Sequence, residues 1–278
     1  MVFKKLFFGT AGMPHSTSPP STLHAISRLR ELGLDGMELE FVHSINLTEQ
    51  SAALVRAAAE RNEINLTCHG SYYINLNSVD KAIVGASRSR IIQAAKIASL
   101  AGAVSVTFHA AFYLKDSPKS VFDKVKKEME RILLEMKSKN INITLRPETT
   151  GKATQFGSLE ELLDLSSELD NVLPCIDFSH LHARSNGKMN SYEEFREILE
   201  KSEKALGKDF LKNMHCHVSG IKYSEKGERN HLILEESDFK YKELLRAMKE
   251  FDCRGIVVCE SPNIEDDALL LQKTFAEI

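Results

Sequence analysis

The stretch CIDFSHLHA, residues 175–183, brings Asp177, His180 and His182 within six positions of one another at the end of a short apolar run, VLPCI. Ionisable groups at a buried strand end are costly unless they are paired or neutralised. Five further apolar runs finish in the same way. His69 closes INLTCH, His109 closes VSVTFH, Glu148 closes INITLRPE, His217 lies near the end of MHCHVS, and Glu260 closes GIVVCE. Metal ions neutralise such a set, and mixed imidazole and carboxylate ligands suit zinc, with manganese or iron as alternatives. An ion-pair network would instead need matching cations on the same strand ends. Arg146 is the one such cation. It stands two residues before Glu148, on the same face one layer lower, and is expected to pair with Glu148 or another inward carboxylate. His215 stands to His217 in the same way and reads as a supporting or core residue rather than a ligand. His182 is ambiguous, because its direction depends on whether the chain stays extended after Asp177. His24 and His43 read as ordinary half-buried histidines.

These residues need elements to position them. Apolar, β-branched or aromatic runs recur at 6–10, 36–41, 64–69, 104–109, 141–148, 172–177, 214–219 and 255–260. Each is followed by a stretch with helical spacing, at 22–33, 48–62, near 85–101, 118–139, 159–168, 191–205, 239–251 and 264–277. Thr48 is a candidate N-cap and Gly33 a candidate helix stop. Eight such alternations predict one (β/α)8 barrel domain over residues 1–278, with the ionisable residues at the C-terminal face of the strands, where barrel enzymes place their chemistry. An open doubly wound sheet would more naturally carry a GxGxxG turn after an early strand, and none is present.

Composition narrows the partners. The 278 residues suit one α/β barrel, and 36 Lys and Arg against 39 Asp and Glu leave a net charge of −3. Nothing global attracts a polyanion, so nucleic acid would need a local basic rim or bound metal. The five cysteines include no CxxC pair and mostly sit in apolar runs, which fits a reducing cytoplasm. The opening MVFKKLFFGTAG has too short an apolar part for a membrane span, and no signal peptide is expected.

Taken together, CHGSYYINL (68–76), VTFHAAF (106–112), RPETTGK (146–152), CIDFSHLHAR (175–184), HVSGIK (217–222) and VVCESP (257–262) resemble the endonuclease IV family of apurinic/apyrimidinic endonucleases, its archaeal branch most closely. The resemblance runs in order over nearly the whole chain. The wider superfamily also holds xylose-isomerase-like sugar isomerases and epimerases. The resemblance implies a trinuclear centre, usually of zinc, that hydrolyses the phosphodiester 5′ to an abasic site in duplex DNA. It implies that His69 and His109 bind the first metal, that Glu148 bridges the first and second, that Asp177, His217 and Glu260 complete the second, and that His180 and His231 hold the third. It also implies that Tyr72 enters the DNA beside Tyr73. One departure stands out. The family usually has Asp two residues before the histidine matching His231, and here that position is Arg229, in KGERNHLIL. Glu228, His182, water or substrate would have to replace the missing carboxylate, or the third site is weak or empty. Arg229 would then point away, toward a DNA phosphate.

The chemistry expected is attack by a metal-bound hydroxide, since coordination lowers the pKa of water to about 7. Glu148 would fix the metal spacing and serve as the central catalytic residue. Lys152, Arg184, Lys222 and Lys226 follow strand ends and would touch phosphates. Two alternatives stay open. One is a metal-dependent sugar isomerase or epimerase, with Glu148 and Glu260, helped by Glu38 or Glu40, moving protons. The other is a non-catalytic metal barrel that binds damaged DNA. No membrane and no obligate protein partner are expected.

Overall fold

The computed structural model describes residues 3–278. Eight parallel strands run through it: β1 (Leu6–Ala11), β2 (Gly36–Glu40), β3 (Asn65–His69), β4 (Ser105–Phe108), β5 (Thr144–Pro147), β6 (Ile176–Asp177), β7 (Met214–Val218) and β8 (Gly255–Cys259). They lie side by side in the order β5-β4-β3-β2-β1-β8-β7-β6. Parallel bridges Leu145↔Val172 and Glu148↔Cys175 join β5 to the segment around β6 and close the ring. The expected (β/α)8 barrel is therefore present. The sixth strand is shorter than the run 172–177, because Pro174 has no N–H for the ladder.

Alternation on most strands sends apolar side chains outward, under the helices, and polar ones inward, while Phe7 of β1 and Ile256 and Val258 of β8 form a separate apolar cluster on the inward face. On β2, Met37 and Leu39 join the hydrophobic core while Glu38 faces the barrel axis; on β7, Cys216 and Val218 pack outward while His215 and His217 turn in. The interior is thus unusually polar, with Glu38, Thr67, Ser105, Thr107, Arg146 and His215 all buried. Backbones of β1 and β2 approach so closely that a Cβ on Gly9 would lie 2.4 Å from the Gly36 carbonyl oxygen.

The helices are α1 (Thr22–Leu32), α2 (Glu49–Asn62), α3 (Lys81–Leu100), α4 (Pro118–Ser138), α5 (Leu159–Glu168), α6 (Phe178–Arg184), α7 (Tyr192–Leu206), α8 (Lys208–Leu211), α9 (Tyr241–Glu250) and α10 (Glu265–Glu277). Side-chain caps start most of them. Ser158 and Glu161 form a capping box on α5, as do Ser191 and Glu194 on α7. Two features differ from the sequence expectation. The chain after Asp177 is helical, not extended, because the Asp177 carboxylate accepts the His180 N–H at 2.7 Å and caps α6. After β7 the chain forms an antiparallel hairpin, Gly220–Ser224 with Gly227–Leu232. No helix among the described residues is long and apolar enough to cross a membrane.

Candidate metal centre

Glu148, one residue past β5, is the hub of the rim. Its carboxylate lies 3.2 Å from His69 Nε2, 3.4 Å from His109 Nε2, 3.2 Å from His180 Nδ1 and 3.4 Å from His217 Nδ1. Among the described residues, four groups of ligand atoms lie within 4.8 Å of one another; three are at the rim (His69, His109 and Glu148; Glu148, Asp177, His217 and Glu260; His180, Glu228 and His231), and the fourth, Cys175 and His215 with His217, reaches deeper into the barrel. Glu148 belongs to the first two. Four of the five histidines are held by their other nitrogen. Backbone carbonyls accept from Nδ1 of His69 (Gly70, 2.8 Å), His180 (Thr149, 3.0 Å) and His231 (Glu260, 3.0 Å), which leaves Nε2 with its lone pair free. His217 is turned the other way, with Nε2 at 2.9 Å from Glu38 and Nδ1 facing Glu148 and Glu260. Fixing the tautomer through the distal nitrogen is how metal-ligating imidazoles are oriented.

The fit to divalent ions can be tested on the polar atoms left over. Glu148 Oε1, Asp177 Oδ2, Glu260 Oε2 and His217 Nδ1 are buried and have no hydrogen-bond partner. Burial alone would raise the Glu148 carboxyl, but the imidazoles of His109 and His217 hold it well below the usual range. Burial likewise opposes ionisation of Glu260, yet His217 brings it down to about 2. Burial wins at Asp177, which is pushed up to about 6. Burial disfavours charge on His69 too, but Glu148 pushes it up to about 10, and burial of His180 is overcome by Asp177 and Glu148. Protons on imidazoles thus neutralise the carboxylates when no cation is present. Divalent ions would replace those protons, and the donor set is one that zinc, manganese or iron accepts.

Residues 26–276 match the family described as "Xylose isomerase-like TIM barrel". The chain belongs to that family. It is 46% identical over 273 residues to "Uncharacterized protein MJ0133" of Methanocaldococcus jannaschii, covering 98% of each chain. It is 25% identical over 236 residues to "Probable endonuclease 4" of Persephonella marina, covering 80% of this chain and 81% of that one. Among solved structures, a D-tagatose 3-epimerase-like protein superposes with a TM-score of 0.75 at 18% identity, over 98% of this chain and 96% of that one. At that identity the likeness shows the fold alone, and within the xylose isomerase-like barrels the fold does not choose a reaction.

Several residues of this xylose isomerase-like barrel lie elsewhere than the sequence suggested. Arg146 pairs with no carboxylate; its guanidinium donates to the carbonyls of Pro174 (2.9 Å) and Asn213 (2.5 Å), toward the base of the barrel. His182 is no substitute ligand. The helix carries it away from the rim, with Nδ1 at 2.9 Å from the Lys188 carbonyl and Nε2 at 3.1 Å from Asp238. Arg184 does not reach out for phosphate, because its NH1 group donates to Thr150 Oγ1 and to the carbonyls of Lys152 and Gln155 at 2.5–3.0 Å. Glu228 does reach the rim, with its carboxylate 3.5 Å from His180 Nε2. A register shift in the hairpin explains how. Lys222 faces Asn230 and Tyr223 faces Glu228, so Arg229 is the extra residue of a bulge, exposed and donating to Ser224 Oγ at 3.2 Å.

Tyr72 and Tyr73 are 55% and 59% exposed at the mouth, and the Tyr72 ring is 5.5 Å from that of His69. Lys152 is half-buried, while Lys222 and Lys226 project into solvent. The residue sequence reasoning undervalued is Glu38. Both His215 Nε2 and His217 Nε2 lie 2.9 Å from its carboxylate, and His215 is held from its other side by Ser105 Oγ at 3.0 Å. Glu38 is therefore in ion-pair contact with two imidazoles. Inward alternation in GMELEF was the available signal. Glu40, two residues on, has a buried Oε1 with no partner; burial and the neighbouring Glu38 push its carboxyl up to about 8, so it is protonated at neutral pH.

Proposed function

We propose that this xylose isomerase-like barrel is a metal-dependent phosphodiesterase that nicks DNA 5′ to abasic sites. The observation that carries the reading is the set of three groups at the rim, two of them sharing Glu148 and the third built from His180 and the hairpin residues Glu228 and His231. Proton transfer between sugar carbons asks for two carboxylates and a polarising cation, and gives no use to the third group. Phosphodiester cleavage has charge to neutralise on the attacking, leaving and non-bridging oxygens together. The relative named "Probable endonuclease 4" supports the same reading.

In this reading His69, His109 and Glu148 hold one ion, Glu148, Asp177, His217 and Glu260 a second, and His180, Glu228 and His231 a third, with zinc the first choice and manganese or iron next. Divalent ions bound there would supply Lewis acidity toward the phosphate and a lowered pKa for the attacking water. The chain supplies the rest. Glu148, a member of two ligand groups, keeps them at a fixed spacing. Lys152, Lys222, Lys226 and Arg229 meet phosphates and set the register of the strand. Tyr72, beside His69, occupies the gap left by the missing base. A nucleotide without a base leaves the stack at little cost, which provides lesion selectivity without base-edge contacts. The experiment is a labelled duplex with one abasic site, incubated with zinc- or manganese-loaded protein. Cleavage 5′ to the site with a 3′-hydroxyl product is expected, and an uncut duplex removes the reading.

One observation favours a second reading, sugar epimerisation. Burial and Glu38 push the Glu40 carboxyl up to about 8, and Glu260 adds to that push, which makes the two carboxyls a pair suited to giving and taking a proton. Epimerisation of a free ketose, with no DNA cleavage, would establish that reading instead.

A further inference from the structure

The mouth of the barrel is chemically two-sided. In a closed ring of eight strands, β3 and β4 stand opposite β7 and β8. The loop after β7 is the hairpin with exposed Lys222, Lys226 and Arg229, and no carboxylate among the described residues forms an ion pair with any of them. The loops after β3 and β4 are of the opposite character. Val79 is 89% exposed, Leu114 56% and Phe112 38%, and the loop after β3 also carries the exposed Tyr72 and Tyr73. Single exposed apolar residues are ordinary, but several on two loops that are tied together at the mouth of a site mark a contact surface.

This apolar wall is built rather than loose. Asn77 Nδ2 donates to the carbonyls of Phe112 (2.9 Å) and Tyr113 (3.3 Å), tying the two loops together. Phe112 pairs with Gln155 in a short antiparallel ladder. The Tyr113 hydroxyl donates to Glu161 at 2.7 Å, and its N–H to the Thr154 carbonyl at 3.1 Å. Leu114 follows with φ 55°, a left-handed conformation that a branched apolar residue adopts only where its surroundings impose it. Tyr113 is thus anchored inward, and the residues on either side of it are presented outward.

We infer that Phe112 and Leu114 form the surface on which the nucleobase flanking the lesion stacks, while the phosphates of that strand run along the hairpin. This rests on the nucleic-acid reading above and adds the contact and the orientation. Base faces are apolar and stack on aromatic and aliphatic side chains regardless of sequence, and the unpaired cations opposite complement a phosphate chain. A free sugar has neither an extended anion nor a flat apolar face to match the two walls.

The test uses the full-length protein with a duplex that carries 2-aminopurine beside a tetrahydrofuran abasic analogue. The parent should quench the 2-aminopurine and bind this duplex more tightly than an undamaged one. Phe112→Ala and Leu114→Asn (Asn tolerates the left-handed backbone) should each lose the quench and weaken abasic binding by about tenfold. Binding to undamaged duplex should stay within about twofold, and Phe112→Trp should restore the quench. A parent that binds no abasic duplex defeats the nucleic-acid reading itself. A parent that binds and nicks, with both variants quenching and binding equally well, overturns this inference alone. So does a parent dimer that the variants convert to monomer in sedimentation, because the wall is then an interface between copies.

Discussion

His217 is the residue on which the site turns. One nitrogen faces Glu148 and Glu260; the other lies 2.9 Å from Glu38, which also serves His215. Glu38→Gln keeps the volume but removes the negative charge that both imidazoles face, so His217 loses what holds its ring in place. Metal affinity, measured by competition with a chromophoric chelator, should fall by about 10–100-fold with the circular dichroism unchanged. Affinity equal to the parent would mean that Glu38 only fills space. At Glu228 and Arg229 the bulge decides the outcome. Glu228→Ala should lower the metal content by one ion per chain after gel filtration, while Arg229→Asp should leave it unaltered, because that side chain points out of the group. A gain of metal on Arg229→Asp would show that the family's usual position is still reachable. His69, His109, Glu148, Asp177, His217 and Glu260 were legible one by one as candidates, since each stands at or near the end of an apolar run. Glu38 was not, because its two partners come from β7 across the barrel, and no spacing within β2 encodes them.

At the scale of elements, periodicity and caps made the long helices readable, and α7 is the clearest case. Its N-terminus is capped by Ser191 and Glu194, and the Glu194 carboxylate accepts the N–H groups of Asn190 (3.0 Å), Met189 (3.0 Å) and Ser191 (2.9 Å). The Asn190 N–H and its neighbours hold this carboxyl down at about 2. A folded-state pKa below the ordinary 4.5 means that the stabilisation is complete above about 4.5 and is lost as pH falls toward about 2. Glu194→Gln should therefore cost about 1 kcal/mol in urea unfolding at pH 7. The gap from the parent should shrink between pH 4.5 and 3; a gap that stays constant over that range would mean that the charge is not what matters. Two elements escaped the sequence. Seven residues of α6 are too few for a helical period to stand out, and its cap, Asp177, also ends a strand. The hairpin escaped because GIKYSEKGERNHL lies on the rim, where little burial imposes alternation. Both carry third-group ligands, so the least legible elements hold the least legible part of the site.

For the whole molecule, the alternation of apolar runs and helical stretches was enough to give the barrel, because burying both faces of a parallel sheet leaves a strong pattern. The same fold serves epimerases and nucleases, so the choice between them rests on the rim: three ligand groups around Glu148, an aromatic wall over β3 and β4, and unpaired cations over β7. The central claim is that Glu148 ties those groups into one phosphodiesterase centre. The measurement that tests it most directly is the single-turnover nicking rate on an abasic duplex, with metal-loaded parent and Glu148→Gln compared at equal DNA occupancy. The account predicts cleavage 5′ to the lesion by the parent and a rate lower by roughly a hundredfold or more in the variant, with folding intact. Equal rates in the two proteins, or a metal-loaded parent that leaves the duplex whole, would contradict it.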